Sequence, residues 1–389
     1  MPKNKKWLPY LLSQLHLWLG LIAGLVVFVS MLGAAVFVWE KELTDWYYAD
    51  MVFVPTVGES IFRPSRVLQD LNAEHDGPEF LRINISSDPQ RAWVLTRFQS
   101  AEKKGFWWWD GIVLSERWYV DPYTGETLGV VDLRRDWIRL CRHLHQNLLI
   151  NSKVGTKIIG IAALIMIVLA LSGLYLWWPK NLRMLRQRLK IKWSASWKRL
   201  NWDLHSVSGF YTHLLIVFFA ATGLVWTFDW WSDGVYRMLG DDPETVFMRP
   251  AGVEMEGGPE LIALDIAFED TKRRQLQWEQ INLRLTKAEQ AKALIFSNVQ
   301  YPNANSAWIT SDQYLYHPES GEFYWQRRHE DKTLGEKWRN NNYEMHVGSI
   351  YGLPTKIIAC LSALIFGMLP ISGFLIWWGR QKKRPKPKP

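Results

Sequence analysis

Four long apolar runs constrain the fold of this chain more than any other feature of its sequence. None of them contains Asp, Glu, Lys or Arg, and they cover residues 7–39, 158–178, 204–228 and 357–379. A helix of about 20 apolar residues is long enough to cross the hydrocarbon core of a bilayer. We therefore predict an integral membrane protein with a four-helix transmembrane bundle. The first run is too long for a signal peptide and has no small-residue cleavage site after it, so we expect it to be retained.

Basic residues cluster in three stretches that hold no acidic residue. Residues 1–6, 180–199 and 380–389 together carry 17 of the 46 Lys and Arg residues. The positive-inside rule places both termini and the short loop in the cytoplasm, and the two long loops outside it, in the periplasm of a Gram-negative cell. The formal net charge of +8 is thus explained by membrane anchoring and does not indicate a nucleic-acid partner.

The order of spans and loops gives the predicted domain organisation. An N-terminal tail with the first span (residues 1–40) precedes a first extracytoplasmic lobe (41–152), the second span (153–178) and a basic cytoplasmic loop (179–202). The third span (203–228), a second extracytoplasmic lobe (229–352), the fourth span (353–379) and a basic cytoplasmic tail (380–389) follow.

The two halves of the chain resemble each other. The second span ends in LSGLYLWW at residues 171–178, and the fourth ends in ISGFLIWW at residues 371–378. Both lobes contain a β-prone run that meets a turn with Pro and (Ser/Thr)-Gly-Glu, at residues 118–128 and 314–324. Helix-like segments at 64–75 and 259–274, and strand-like runs at 80–85, 92–98 and 281–285, precede these turns. We predict two parallel repeats, each with an α+β lobe of one helix on an antiparallel sheet.

Histidines near the span ends form two pairs in this repeat. His16 and His205 occupy the same place in the first and third spans, while His145 and His346 precede the second and fourth spans in the same way. Low-spin heme iron needs two axial nitrogens on opposite faces of one porphyrin. We predict that each pair ligates the iron of one heme, near the inner and the outer membrane surface respectively. The chain has no CxxCH motif, which excludes covalent c-type attachment.

Other side chains leave alternatives open. His213 could replace His205 as a ligand or hydrogen-bond to the heme, and His143 could take the place of His145. Arg139 and Arg142 are candidates to meet the heme propionates at the outer site. A histidine pair could also bind a transition metal without a porphyrin.

Together, these motifs resemble the PepSY-associated transmembrane-helix family of bacteria. The residues that carry the resemblance are Leu15-His16, Leu144-His145, Leu204-His205-Ser-Val-Ser-Gly, Met345-His346, the Ser-Gly-x-x-x-Trp-Trp endings and the turn from Asp121 to Glu126. The second lobe departs from this pattern, since its turn starts with His317 where the first has Asp121. Within the family, the chain is most similar to the inner-membrane ferric-siderophore reductases, which implies PepSY-like lobes in the periplasm and two b-type hemes.

The resemblance also implies a reaction. Electrons from a cytoplasmic or quinol donor would reduce a ferric siderophore in the periplasm and release ferrous iron. The sequence has no GxGxxG motif between a predicted strand and a predicted helix, so the donor is expected to be a separate molecule.

The surface that contacts the siderophore is expected on the lobes. Trp107, Trp108, Trp109 and Trp118 offer rigid apolar area, although core or interfacial positions would explain them equally. Outside the three basic stretches the chain holds 29 basic and 38 acidic residues, which favours a neutral or cationic ferric complex over an anionic one.

Two other functions fit part of the sequence. A heme-free, membrane-anchored PepSY module could bind or regulate a periplasmic partner. A transporter of a metal or siderophore would need polar groups near the bilayer midplane, where the spans offer few besides His213 and Ser/Thr.

Overall fold

The computed structural model describes residues 7–77, 80–103, 105–246, 248, 250, 252–254, 260–285, 292–302 and 308–381. The basic residues of segments 1–6 and 382–388, and Pro259 at the predicted start of the second lobe helix, lie outside the described residues. Helices are numbered in chain order as α1 (Trp7–Phe37), α2 (Glu40–Tyr47), α3 (Ala49–Val52), α4 (Pro64–Glu74), α5 (Trp137–Asn147), α6 (Ser152–Trp177), α7 (Leu182–Arg188), α8 (Trp197–Leu224), α9 (Asp229–Met238), α10 (Leu261–Arg274), α11 (Leu334–Val347) and α12 (Leu353–Gln381).

Four of these helices, α1, α6, α8 and α12, are long and apolar enough to cross a membrane, as the sequence predicted. The chain is therefore a multi-pass membrane protein. Helices α6, α8 and α12 are longer than their apolar runs because polar residues extend them, whereas α1 ends at Phe37, within its run. For example, α8 begins at Trp197 and its first turns carry an Arg199–Asp203 ion pair of 2.8 Å. The bundle core holds small side chains such as Ala23, Ala162 and Ala170 beside larger ones, which allows the helices to approach closely.

The strands outside the bundle are β1 (Arg82–Ser86), β2 (Trp93–Ser100), β3 (Ile112–Val120), β4 (Thr127–Asp132), β5 (Val253–Glu254), β6 (Gln280–Leu285), β7 (Lys292–Ala293), β8 (Ile295–Tyr301), β9 (Thr310–Tyr316) and β10 (Phe323–Arg327). Eight of them form one antiparallel sheet in the order β10-β9-β8-β6-β1-β2-β3-β4, and β5 pairs with β7. The predicted lobes are thus joined, because β1 of the first pairs with β6 of the second. This pairing removes two strand edges that would otherwise be open to other chains.

The two faces of the sheet have different neighbours. Helices α4 and α10 cover one face and bury residues such as Ile83, Leu283 and Phe268. The same two helices are joined by Ser65, whose backbone N–H and hydroxyl donate to the Asp265 carboxylate at 2.8 and 2.5 Å. On the opposite face, Val52 of α3 packs with Tyr119, just beyond the end of α1. We call this second surface the bundle-facing surface.

The structure confirms the two turns that the sequence pattern predicted in the lobes. Gly125 and Gly321 both have positive φ, at 77° and 73°, which a glycine adopts without strain. Asp121 accepts a hydrogen bond from the Tyr123 backbone N–H at 2.7 Å. His317 does the same through Nδ1, which accepts from the Glu319 N–H at 3.3 Å. The Asp-to-His difference between the turns therefore preserves the local hydrogen bond.

Helix α5 crosses α1 at Gly33, and this contact fixes the position of α5 on the bundle. A Cβ atom at Gly33 would overlap the Cys141 carbonyl oxygen and lie 3.0 Å from the His145 backbone nitrogen. Only glycine allows the two backbones to approach this closely.

We expect Gly33→Ala to lower the free energy of unfolding by about 1–3 kcal/mol, because the methyl group must push α5 away from α1. Gly20→Ala on the same helix is the matched control, since the nearest atom to the new methyl group would be Leu169 Cδ2 at an ordinary 3.9 Å. Denaturant unfolding of both variants in one detergent measures the difference. Equal stability of the two variants would contradict the close crossing.

Candidate functional site

At the end of the bundle next to the sheet, which we call the sheet end, two histidines from different helices face each other. His145 lies on α5 and His346 on α11. Their ring centres are 5.9 Å apart and their ring planes are inclined by 33°. Neither helix is a membrane span. Each is a short helix that packs against the bundle before the chain turns into α6 or α12.

A second pair lies at the opposite end of the bundle, near α7, which we call the loop end. His16 on α1 and His205 on α8 have ring centres 6.2 Å apart, with planes inclined by 88°. Along α1, the sheet-end pair is reached at Ser30, which lies about 21 Å from His16 at the helical rise per residue. The structure thus brings together both predicted pairs, at opposite ends of the bundle.

Each of the four imidazoles is held by a hydroxyl group on a neighbouring helix. The Nδ1-to-oxygen distances are 3.0 Å for His16–Ser172, 3.0 Å for His205–Ser372, 2.9 Å for His145–Ser30 and 2.9 Å for His346–Thr222. These hydroxyls also donate to backbone carbonyls, those of Leu169, Leu369, His145 and Phe218 respectively. Since each hydroxyl proton is used in this way, the oxygen accepts from Nδ1–H.

This hydrogen bond fixes the tautomer of the histidines. His205 gives direct support, because its Nδ1 also lies 3.1 Å from the Leu369 carbonyl oxygen, which can only accept. A proton on Nδ1 leaves the lone pair on Nε2 free, as in many metal-ligating histidines. At the sheet end, burial lowers the pKa of His145 to about 4 and that of His346 to about 3. Both rings are therefore neutral at physiological pH and able to ligate a metal.

The Ser-Gly motifs of the sequence explain how the rings fit between helices. Gly173 follows Ser172, and a Cβ there would lie 3.0 Å from His16 Cε1. Gly373 follows Ser372 and Gly223 follows Thr222, and a Cβ at these positions would lie 3.2 Å from His205 Cε1 and 3.0 Å from His346 Cε1. In each case the hydroxyl binds the ring nitrogen and the glycine leaves room for the ring. The fourth hydroxyl residue, Ser30, is followed by Met31 instead. The hydroxyl partners were not identified from the sequence.

Two asparagines that were not identified from the sequence hydrogen-bond to the backbone of hydroxyl residues. Asn201 Nδ2 donates to the Ser372 carbonyl at 3.0 Å, and Asn342 Nδ2 donates to the Thr222 carbonyl at 3.0 Å. Each asparagine lies four residues before a paired histidine, His205 or His346, so it occupies the same helix face one turn earlier. Both are buried, with exposed fractions of 7% and 0%.

A cavity of about 1090 Å³ opens between the helices at the sheet end. Both His145 and His346 line it. Its apolar part is formed by bundle residues that include Val27, Met166, Ile216, Phe219 and Phe366. Its polar part includes Arg142, Arg339, Gln313 and Tyr343. Apolar walls with a few polar groups at one side are typical of sites for large flat cofactors.

The residues present fit a heme better than a bare metal ion. Within the described part of the chain, no group of three or more His, Cys, Asp or Glu side chains could hold a metal. A histidine pair alone leaves most positions of a transition metal unfilled, whereas a porphyrin supplies four nitrogens and needs two axial ligands. Metal–imidazole bonds are about 2 Å long, so two imidazoles across one iron have ring centres roughly 6 Å apart. The observed 5.9 and 6.2 Å agree with that spacing.

The alternative ligands do not join these pairs. His213 bonds the Phe210 carbonyl of its own helix, and its ring lies 5.7 Å from the Phe210 ring. His143 stacks on Trp108 with ring centres 3.6 Å apart and lines the cavity. Its Nε2 is buried without a hydrogen-bond partner, and burial lowers its pKa to about 3. His143 is thus a cavity-wall residue rather than the partner of His346.

The two arginines predicted to meet the heme propionates, Arg139 and Arg142, lie in different places. Arg142 lines the cavity, with its guanidinium 5.6 Å from the Phe37 ring centre. Arg139 is not among the cavity-lining residues. Burial, followed by the charge of Arg142, lowers the pKa of Arg139 to about 10. Arg339 of α11, which was not identified from the sequence, also lines the cavity.

The four predicted contact tryptophans do not form one surface. Trp118 is only 7% exposed and packs in the sheet core against Phe80. Trp108 is 6% exposed beneath His143. Trp107 and Trp109 stack on each other with ring centres 5.3 Å apart, and the Trp107 backbone pairs with Ile150, two residues before α6 begins. That position is typical of an interfacial membrane anchor.

Comparison with known proteins agrees with this architecture. The chain matches the family described as the PepSY-associated TM region over residues 13–380, which covers most of α1, nearly all of the other three spans and the whole sheet. No curated protein sequence matches the chain. The chain belongs to the family of PepSY-associated transmembrane regions.

Proposed function

We propose that this protein is a di-heme b reductase of the bacterial inner membrane, which reduces a ferric siderophore in the periplasm and releases ferrous iron. The observation that carries the proposal is the pair of sites in which two imidazoles have free Nε2 atoms and ring centres about 6 Å apart. Heme bound at both sites would supply one-electron carriers at the two ends of the bundle. A heme-free binding module or a transporter would not require two such histidine pairs.

The chain itself would hold and orient the cofactors. His16 with His205, and His145 with His346, would be the axial ligands, and the serine and threonine hydroxyls would fix their ring orientation. Arg142 and Arg339 would meet propionates at the sheet end. The apolar walls of the cavity would exclude water and set the reduction potential together with these charges.

The arrangement of hydroxyl partners supports two repeats. In the first half, α1 carries a histidine held by α6, and α5 carries one held by α1. In the second half, α8 carries a histidine held by α12, and α11 carries one held by α8. The same pattern in both halves is what a duplication produces, and it leaves one histidine from each half at each end of the bundle.

Orientation follows from charge. The loop end carries α7, whose last turn includes Arg186 and Arg188, and the positive-inside rule assigns such segments to the cytoplasm. The sheet would then lie in the periplasm. Ferric iron binds hard siderophore oxygens very tightly, and ferrous iron binds them less well. One-electron reduction at the sheet end would therefore release the metal, with electrons from a separate cytoplasmic or quinol donor.

We expect His145→Ala or His346→Ala to remove about half of the bound heme, and His16→Ala or His205→Ala to remove the other half. His213→Ala is the matched control, because it removes a span histidine outside both pairs. A pyridine hemochrome assay per mole of protein measures the loss. Full heme content in all four variants, or colourless protein made with ample heme, would contradict the ligand assignment.

The two hemes should differ in their ferric EPR spectra. The angle between axial imidazole planes sets the splitting of the iron d orbitals, and the two pairs differ in this angle, 33° against 88°. We expect a rhombic low-spin signal from the sheet end and a strongly anisotropic low-field signal from the loop end. His346→Ala should remove the first signal and His205→Ala the second. Two identical signals in the unsubstituted protein would contradict the assignment.

The reaction can be tested by re-oxidation. Protein reduced with dithionite and freed of excess reductant should be re-oxidised by a ferric siderophore, with ferrous iron appearing in a chelator trap. The gallium complex of the same siderophore is the control, because its metal has the same charge and cannot accept an electron. Stable ferrous spectra with every ferric complex tested would count against a reductase.

A further inference from the structure

We propose that Arg82 and Arg284 form an anion-binding site on the bundle-facing surface, which selects a ferric chelate with net negative charge. This inference rests on the proposed reductase function and names the class of its substrate. It is opposite to the expectation from the overall acidic balance of the lobes.

The two arginines lie at the centre of the sheet. Arg82 of β1 and Arg284 of β6 are directly opposite each other across the strand pair that joins the two halves. Their neighbours Ile83 and Leu283 are fully buried under α4 and α10. Because side chains alternate along a strand, the arginines point to the other face, the bundle-facing surface. Both are exposed to solvent and so accessible to a ligand.

A row of amides leads from this pair towards the cavity. Asn84 and Asn282 are the next pair on the same face, joined by a side-chain hydrogen bond. Asn298 and then Gln313 lie beside Asn282 on β8 and β9. Gln313 lines the cavity that also contains His145. The arginine pair and the histidine site are therefore connected by one continuous polar surface.

The charges of the pair are not compensated within the protein that the structure describes. Like charges directly opposite in a sheet destabilise it, and neither arginine makes an ion pair with any described residue. Partial burial and the neighbouring Arg284 charge lower the pKa of Arg82. By contrast, Arg97 bonds Glu116 at 3.1 Å, and Arg117 in the same row is close to Glu40.

Two adjacent guanidinium groups suit an anion with several oxygens. Neighbouring strands are about 4.8 Å apart, so two forks at this spacing can bind oxygens of one ligand. Asn84 and Asn282 would add neutral donors. Ferric complexes of catecholate or carboxylate chelators are anions, whereas linear trihydroxamate complexes are neutral or cationic. An uncompensated pair of arginines attracts the first class and repels a cationic complex.

The test measures binding of gallium complexes to the full-length, heme-loaded protein in detergent. Gallium prevents electron transfer, so binding is separated from reduction. For a gallium tricatecholate, we expect the double variant Arg82→Gln/Arg284→Gln to bind at least tenfold more weakly and with a smaller salt dependence. A gallium trihydroxamate should bind more weakly than the tricatecholate to the unsubstituted protein, and the double variant should not weaken it further.

Matched variants separate the effect of charge at Arg82 and Arg284 from the effects of overall charge and of misfolding. Arg66→Gln/Arg63→Gln removes two charges at α4, on the opposite side of the sheet, and should leave tricatecholate binding unchanged. Arg82→Lys/Arg284→Lys should restore part of the affinity. Unchanged heme content and EPR signals show that each variant is folded. If the double Gln variant does not fold, the single variant Arg82→Gln replaces it.

The outcomes distinguish this inference from the reductase proposal. Equal tricatecholate affinity of the double Gln variant and the unsubstituted protein overturns the anion site, even if ferric trihydroxamates re-oxidise the hemes. Preference of the unsubstituted protein for the trihydroxamate also overturns it. Loss of tricatecholate binding confined to the Arg82 and Arg284 variants supports the site, even if no ferric complex re-oxidises the protein and the reductase proposal fails.

Discussion

The hydrogen bond between an imidazole Nδ1–H and a hydroxyl on the next helix is the interaction on which both the bundle and the proposed chemistry depend. It occurs four times, at distances of 2.9 to 3.0 Å. In an apolar environment such a bond ties two helices together, since an unpaired ring nitrogen there would be costly. The same bond places the ring proton on Nδ1 and leaves the Nε2 lone pair available to a metal. One contact therefore contributes both to helix packing and to the ability of each imidazole to act as a ligand.

The single sheet provides a second constraint, because it fixes the spacing of the two halves outside the membrane. The β1–β6 pairing joins strands that are about 200 residues apart in sequence, and the Ser65–Asp265 bond joins the helices above them. The first lobe returns to the bundle through α5 and the second through α11. With both lobes held in one sheet, these helices bring His145 and His346 to a reproducible separation. A rigid scaffold of this kind is what a preorganised two-ligand site requires.

Much of this arrangement could be predicted from the sequence, and the parts that could not have physical reasons. The four spans follow from apolar runs, and the lobe helices and turns follow from local patterns such as Gly125 and Gly321. The histidine pairs follow from the repeat. The joined sheet does not, because pairing between distant strands leaves no local signal. The roles of Ser172 and Thr222 were also hidden, since a small polar residue in a span is equally explained by helix packing.

The two ends of the bundle differ in a way that gives the proposed electron path a direction. The cavity of about 1090 Å³ is at the sheet end, where Arg142, Arg339 and Gln313 bring polar groups to the histidine pair. The hydroxyl partners are buried to the same degree at both ends, since Ser30 and Thr222 are 2% and 5% exposed and Ser372 is 3% exposed. The cavity, not the burial of these partners, distinguishes the sheet end. In the proposed function, a large substrate would approach the sheet-end histidine pair through this cavity. Arg82 and Arg284, which form no ion pair with any residue that the structure describes, lie on the same side of the protein as this cavity. There, local charge rather than the net charge of the lobes determines what an incoming complex meets.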